Sequence, residues 1–118
     1  MKRYLVLIAY EPGDWEHVDE DTRQEVFTAH RAFEAHVAEH GEKVAGAALG
    51  DADTATTLRG PERTVTDGPF VESVEQVGGY YDVRLPDLDT AIAAARLLPA
   101  SYTVEIRPVV GVEGYDEA

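Results

Sequence analysis

The chain contains no cysteine among its 118 residues. Disulfide bonds, zinc–thiolate sites, iron–sulfur clusters and thiol catalysis are therefore excluded. It also lacks a long apolar run, because the one at residues 4–10 is too short to cross a membrane and lacks a small-residue cleavage site. We therefore expect no export signal, no membrane association and a cytoplasmic protein.

Basic residues are scarce: 10 Lys and Arg stand against 23 Asp and Glu, a net charge of −13. A negative field of this size repels phosphate backbones and anionic lipids, and no basic cluster offsets it. We therefore expect no nucleic-acid partner. The acidic runs at residues 11–25 and 113–118 are typical of solvated surface and a frayed end. The length predicts a single domain over 1–118, with a flexible tail from about residue 111.

Strand patterns are separated by two helical patterns. We predict strands at 4–10, 43–49, 77–85 and 102–109, and a hairpin from the arms 54–59 and 63–66. Asp19 or Asp21 caps a first helix that Gly41 ends, and Asp87 or Asp89 caps a second. The order β-α-β, hairpin, β-α-β predicts an α+β fold, a ferredoxin-like sheet with two helices on one face.

The last two strand patterns alternate between apolar and polar residues. One set fits beneath the helices: Tyr81, Val83, Leu85, Tyr102, Val104 and Ile106. The opposite set mixes charges with an aromatic ring: Tyr80, Asp82, Arg84, Thr103, Glu105 and Arg107. Such a face suits pairing with another copy, so we predict a homodimer packed sheet to sheet around a polar space. An ordinary solvated sheet face is the alternative.

Several segments resemble the YCII-related, DGPF-type family. Residues 66–72 carry its Asp-Gly-Pro-Phe signature, and residues 75–81 resemble the Glu-Gln-Leu-Gly-Gly-Tyr-Tyr stretch that follows it. The resemblance runs from Tyr4 to about Val109 and implies a dimeric α+β barrel of ferredoxin-like subunits. It also implies a site without a fixed reaction: relatives have been proposed to use a His–Asp pair, one acts as a chloromuconolactone dehalogenase, and some are associated with extracytoplasmic-function sigma factors.

His30 and Asp67 are the candidate catalytic residues. His30 borders the apolar stripe of the first helix, where a half-buried imidazole can act as general acid or base near neutral pH. Asp67 would fix its tautomer. The alternatives are a hydrogen-bonded histidine at a helix edge and a structural turn aspartate before Gly68. Phe70 plugs the core or walls the pocket, and we favour the core.

The polar sheet face supplies the candidate ligand-binding residues Tyr80, Asp82, Arg84, Glu105 and Arg107. An arginine facing an enclosed space suits a carboxylate ligand. Ion pairs of Arg84 with Asp82 and of Arg107 with Glu105 are the structural alternative.

His36 and His40 have a spacing that suits a metal, but no third ligand is obvious nearby. We therefore predict no metal site, and no cofactor.

The leading functional hypothesis is a small-molecule lyase, isomerase or dehalogenase with cofactor-free proton transfer. The alternative is a non-catalytic module that binds a ligand or a protein partner and is linked to an extracytoplasmic-function sigma factor. A purely structural dimer is the third hypothesis. The substrate itself is not predicted.

Overall fold

A computed structural model describes residues 1–115 of the chain. The strands are β1 (Lys2–Tyr10), β2 (Glu42–Ala48), β3 (Thr56–Arg59), β4 (Thr64–Asp67), β5 (Gln76–Leu85) and β6 (Thr103–Pro108). The helices are α1 (Glu20–His40), between β1 and β2, and α2 (Leu88–Ala95), between β5 and β6. The predicted order of elements is therefore confirmed. The last three residues of the predicted tail lie outside the described range.

Four of the strands form one antiparallel sheet in the order β2-β5-β1-β6. Its two central strands are neighbours in space although they are far apart in the chain, which is the arrangement of a ferredoxin-like fold. Within one chain the sheet stays open and does not close into a barrel. The predicted α+β, ferredoxin-like subunit is confirmed.

The core lies between this sheet and the two helices. The alternating residues of β1 and β5 that face the helices are buried: Tyr4, Val6, Ile8, Tyr81, Val83 and Leu85. Phe33 and Val37 of α1 and Ala91 and Ala94 of α2 pack onto them. Tyr102, which precedes β6, and Val104 and Ile106 of β6 are half-buried against the same core, so the apolar set predicted from the last two strand patterns lies beneath the helices.

Both helices begin at an aspartate. The Asp19 carboxylate accepts a hydrogen bond from the Thr22 amide at 2.7 Å, and the Asp87 carboxylate accepts one from the Thr90 amide at 2.9 Å. Such caps satisfy amide groups that have no partner inside the helix. α1 ends at Gly41, where a Cβ atom would lie 2.0 Å from the carbonyl oxygen of Arg84. Close packing against β5 therefore requires glycine at this position.

The short strands β3 and β4 pair only with each other. Gly68, which follows β4, has a φ of 98°, a conformation that favours glycine, and its amide donates to the Ala55 carbonyl at 2.7 Å. Phe70, two residues after Gly68, is 73% exposed, so its favoured core placement is wrong. The chain turns outward after Gly68, and the Phe70 ring reaches the wall of a small surface pocket instead.

Candidate active site

His30 lies between two tyrosine hydroxyls on the helix-covered side of the sheet. Its Nδ1 atom is 2.7 Å from the Tyr81 hydroxyl, and its Nε2 atom is 2.9 Å from the Tyr102 hydroxyl. The histidine belongs to α1, Tyr81 to β5, and Tyr102 immediately precedes β6. We call this arrangement the Tyr81–His30–Tyr102 chain.

The helical spacing of α1 explains where the imidazole points. His30 comes three and seven residues before the buried side chains Phe33 and Val37, so it shares their face of the helix. It lies nearer the helix start, where the core gives way to a cavity. Both tyrosines are on the core-facing side of their strands, and a partly buried phenol requires a hydrogen-bond partner. The imidazole provides one for each.

The environment keeps all three groups neutral. Burial lowers the pKa of His30, and the negative charge of Glu34 offsets this only in part. Burial, assisted by Glu34 and Tyr102, raises the pKa of Tyr81 to about 12. Burial also raises the pKa of Tyr102, with a smaller contribution from Tyr10. At neutral pH the site therefore consists of an uncharged imidazole and two protonated phenols.

A neutral imidazole donates from one nitrogen and accepts at the other. One tyrosine must therefore donate its proton to the ring, while the other accepts the ring N–H. The accepting tyrosine keeps its own proton free for a further partner. If the imidazole changes its tautomer, the two tyrosines exchange these roles. Protons can therefore pass along the Tyr81–His30–Tyr102 chain while all three groups are neutral before and after the transfer.

The Tyr81–His30–Tyr102 chain forms part of the wall of an open cavity of about 1250 Å³. The aromatic side chains of its wall are Tyr10, Trp15, Phe27, Tyr80, Tyr81 and Tyr102. Its charged side chains are Glu11, Asp14, Glu34, Lys43 and Glu75. A cavity of this size and aromatic character is large enough for a drug-sized ligand.

The segment between β1 and α1 forms one side of this cavity. Trp15 lies edge-on to Phe27 with ring centroids 5.9 Å apart, and the Arg23 guanidinium lies 5.4 Å from the centre of the indole ring. Arg23 also donates to the Trp15 and Glu16 carbonyls at 2.7 and 3.0 Å. These contacts attach the segment to α1 and hold the indole in the cavity wall.

Two close approaches fix the tyrosine rings. A Cβ atom on Gly46 would lie 2.6 Å from the Tyr81 ring, so β2 passes directly beside that ring only because residue 46 is glycine. On the other side, the rings of Tyr10 and Tyr102 stack with centroids 5.4 Å apart. Both phenols are therefore held by packing as well as by His30.

Asp67, the predicted partner of His30, lies at the exposed end of β4. It does not line the cavity, and both ring nitrogens of His30 are occupied by tyrosines. The hydrogen bonds at its turn come from the Gly68 amide and from the Thr57 hydroxyl, which donates to the Gly68 carbonyl at 2.7 Å. A single chain does not bring His30 and Asp67 together, and their catalytic pairing stays a prediction.

Of the predicted ligand-binding residues, Tyr80 lines the cavity and the charged four do not. Asp82 is buried on the other sheet face and accepts two hydrogen bonds from Arg3, at 2.9 and 2.6 Å. These bonds, together with the charges of Arg3 and Arg84, lower the pKa of Asp82. The suggested Arg84–Asp82 pair is replaced by Arg3–Asp82, because β1 lies directly beside β5.

The remaining three charged candidates take part in exposed ion pairs. Arg84 pairs with Glu42 at 3.0 Å, and Arg107 pairs with Glu105 at 3.4 Å, as the structural alternative for that pair expected. Phe70 lines a separate pocket of about 430 Å³ near the β3–β4 hairpin. The residues predicted to be catalytic or ligand-binding therefore lie in separate parts of the structure, and only His30 and Tyr80 line the cavity.

His36 and His40 have ring centroids 4.3 Å apart on the surface of α1. Glu39 adds a third potential ligand, and the three ligand atoms lie within 4.8 Å of one another. Sequence reasoning missed Glu39 because it sought a separate motif and not the residue between the two histidines. None of the three lines the cavity.

Sequence reasoning missed Tyr81 and Tyr102 as site residues because it assigned both to the apolar set beneath the helices. Their hydroxyl groups could have identified them, because a phenol in a core-facing position needs a polar partner. His30 was the polar residue at the edge of the facing helix. Trp15 and Lys43 were missed as well. Lys43 pairs with Glu34 and lies 6.0 Å from the centre of the Tyr81 ring.

The fold and the cavity define a small α+β protein with a ferredoxin-like sheet and a polar chain at the helix–sheet junction. A family model for the YCII-related domain matches residues 2–112, which is nearly the whole chain. The chain belongs to the YCII-related domain family. No curated protein matches it. Within residues 1–115, no helix has both the length and the apolar character to cross a membrane.

Proposed function

We propose that the protein is an enzyme of small-molecule proton transfer, of the lyase, isomerase or dehalogenase kind, working without a cofactor. The observation that carries the proposal is the Tyr81–His30–Tyr102 chain in the cavity wall. A histidine with phenols on both nitrogens provides a proton donor and a proton acceptor at the same site.

The proton path follows from the hydrogen bonds. A proton leaves a carbon or oxygen atom of the ligand for the oxygen of one tyrosine, which passes its own proton to the imidazole. The other ring nitrogen gives up its N–H to the second tyrosine, and that phenol releases its own proton to another atom of the ligand. The electron pair left by the first proton forms a new double bond in the ligand, and the double bond at the second atom is consumed. The result is an isomerisation with no net gain or loss of protons.

The neutral state of the site suits this path. Because burial lowers the pKa of His30, the imidazole keeps an acceptor nitrogen at neutral pH. Because burial raises the pKa of Tyr81 to about 12, that phenol keeps the proton it must donate.

Solvent deuterium exchange tests the proposal without knowledge of the product. A library of cyclic ketones, phenols and lactones is incubated with the protein in deuterium oxide, and incorporation at carbon is followed by NMR. We expect catalysed exchange into at least one compound. His30→Gln, Tyr81→Phe and Tyr102→Phe should each reduce it by about 100-fold or more, the usual contribution of acid–base catalysis. If His30→Gln still catalysed deuterium incorporation at the full rate, the Tyr81–His30–Tyr102 chain would have no catalytic role.

Asp67→Asn separates this assignment from the His30–Asp67 pair. The tyrosine chain needs no carboxylate, so exchange by Asp67→Asn should match that of the unchanged protein. A loss as large as that of His30→Gln would show instead that Asp67 reaches the site, which in this fold requires a second copy. Glu62→Gln serves as the control, because Glu62 is exposed in the turn between β3 and β4 and is not among the residues of the cavity wall.

The proposal includes a homodimer packed through the sheet face opposite the helices. That face has no covering element in residues 1–115, yet it holds the half-buried Leu5 and Leu7 beside the Arg3–Asp82 pair. The radius of gyration of the chain is 16.3 Å, whereas a compact domain of this length would have roughly 13.5 Å. A single copy is therefore more extended than a compact domain of this length. Light scattering at micromolar concentration should give twice the mass of the chain, and a monomer would refute the packing.

A non-catalytic partner-binding module is the second candidate function. Its support is a group of exposed apolar side chains on the β3–β4 hairpin and the segment after it: Leu58, Val65, Phe70, Val71 and Val74. Contiguous apolar surface of this kind is typical of protein interfaces. If the protein is such a module, we expect saturable binding of a protein, such as a sigma factor encoded beside it. We then expect no deuterium exchange into any compound.

A further inference from the structure

The charges of the cavity wall restrict its ligand, if the cavity is the site proposed above. We infer that it accepts conjugated ring compounds that are neutral or positively charged, and that it discriminates against carboxylates. The inference rests on the proposed function only for the location of the site. The selectivity comes from side chains other than His30.

Among residues 1–115, four carboxylates and one ammonium group line the cavity, a net charge of −3. The same lining residues include no arginine, so this wall offers no guanidinium to bind a carboxylate. The single cation, Lys43, is already paired with Glu34. A ligand carboxylate would therefore enter a negative field in a protein whose net charge is −13.

The aromatic residues supply the attraction. Tyr10 and Tyr102 stack on one side of the cavity, while Trp15 and Phe27 form an edge-on pair on another. Trp15 is 45% exposed, which leaves indole surface open to the cavity. Flat ring ligands gain apolar contact on such walls, and a cationic group gains attraction from ring faces and nearby carboxylates.

Three naphthalene probes of nearly equal shape test the inference: 1-naphthalenemethanol, 1-naphthylmethylamine and 1-naphthoate. Their dissociation constants are measured by fluorescence titration near pH 7.5 in low salt. We expect the alcohol and the amine to bind at least tenfold more tightly than the carboxylate. The preference of amine over carboxylate should shrink in 0.5 M salt, because screening weakens charge interactions.

Glu34→Gln is the informative variant. It removes one negative charge and releases Lys43, so 1-naphthoate should bind at least fivefold more tightly to it than to the unchanged protein. Glu62→Gln changes the net charge by the same amount but lies in the exposed turn between β3 and β4, outside the cavity wall, so it should leave all three dissociation constants unchanged.

Each outcome separates selectivity from catalysis. Equal or tighter binding of 1-naphthoate, equal effects of the two variants, or no binding of the alcohol and amine at millimolar concentration would overturn the inference. His30→Gln should retain the preference for alcohol over carboxylate, because the wall charges are unchanged. Deuterium exchange is measured separately, so loss of the proposed activity and loss of this selectivity are distinguishable.

Discussion

Nε2 of His30 lies 2.9 Å from the hydroxyl of Tyr102, although 72 positions separate the two residues in the chain. The contact joins the middle of the first helix to the start of the last strand. It requires the whole sheet to be assembled, since β6 reaches this position by pairing with β1. The site is therefore a property of the folded chain, and the following predictions test the contacts that maintain it.

Tyr102→Phe should lower the free energy of unfolding by about 1 kcal/mol, because it leaves one nitrogen of a half-buried imidazole without its protein partner. Urea denaturation measures the change. Tyr115→Phe is the matched control, since that ring is 77% exposed, and it should change stability by less than about 0.5 kcal/mol. Equal effects of the two variants would contradict a structural role for the His30–Tyr102 hydrogen bond.

Because of His30, the free energy of unfolding should be lower in weak acid than at neutral pH. Its pKa is lowered by burial in the folded state and is about 6.5 in the unfolded chain. As pH falls below about 6.5, the unfolded chain binds a proton that the folded chain resists, so the free energy of unfolding decreases until the folded pKa is passed.

Urea titrations between about pH 5 and pH 7 measure this dependence. His30→Gln should show a shallower loss of stability over that range than the unchanged protein. Parallel curves for the two proteins would contradict the burial of the imidazole.

The Arg3–Asp82 pair should contribute more to stability than the exposed Arg107–Glu105 pair. Asp82 is only 8% exposed, and removing Arg3 leaves its carboxylate without its main partner. Arg3→Met should therefore lower the free energy of unfolding more than Arg107→Met does. A double-mutant cycle with Asp82→Asn measures the coupling, and the same cycle on Arg107 and Glu105 should give less than about 0.5 kcal/mol. Equal couplings would contradict the difference in burial.

Because the Arg3 hydrogen bonds lower the pKa of Asp82, the stability from this carboxylate is present above its ordinary pKa. It is lost as pH falls through the lowered value. Asp82→Asn should therefore remove part of the acid dependence below about pH 4, in a range distinct from that of His30.

Phe33→Ala should be the most destabilising of the phenylalanine substitutions. The ring is fully buried and lies 4.5 Å from that of Tyr81 between centroids, so its loss should cost about 3–5 kcal/mol. Phe70→Ala, at a 73% exposed position, should cost less than about 0.5 kcal/mol at submicromolar protein concentration. A large loss for Phe70 would place its ring in a buried environment after all.

The sequence by itself determined the features that depend on neighbouring residues. Alternation along β5 and β6 gave the buried face, because successive strand residues point to opposite sides of a sheet. Asp19 and Asp87 marked the helix starts, because a capping carboxylate binds an amide three residues further along. The order of these elements was sufficient for the ferredoxin-like fold.

The tertiary structure decided which distant groups meet. The family resemblance and the chemistry of the side chains suggested pairing His30 with Asp67. Within one chain, packing places Tyr81 and Tyr102 at the two nitrogens of His30, and strand order places Asp82 beside Arg3. Partners of this kind depend on strand register and on the angle at which a helix crosses the sheet. Both are set by the sum of many side-chain contacts across the core, and no single stretch of sequence encodes them.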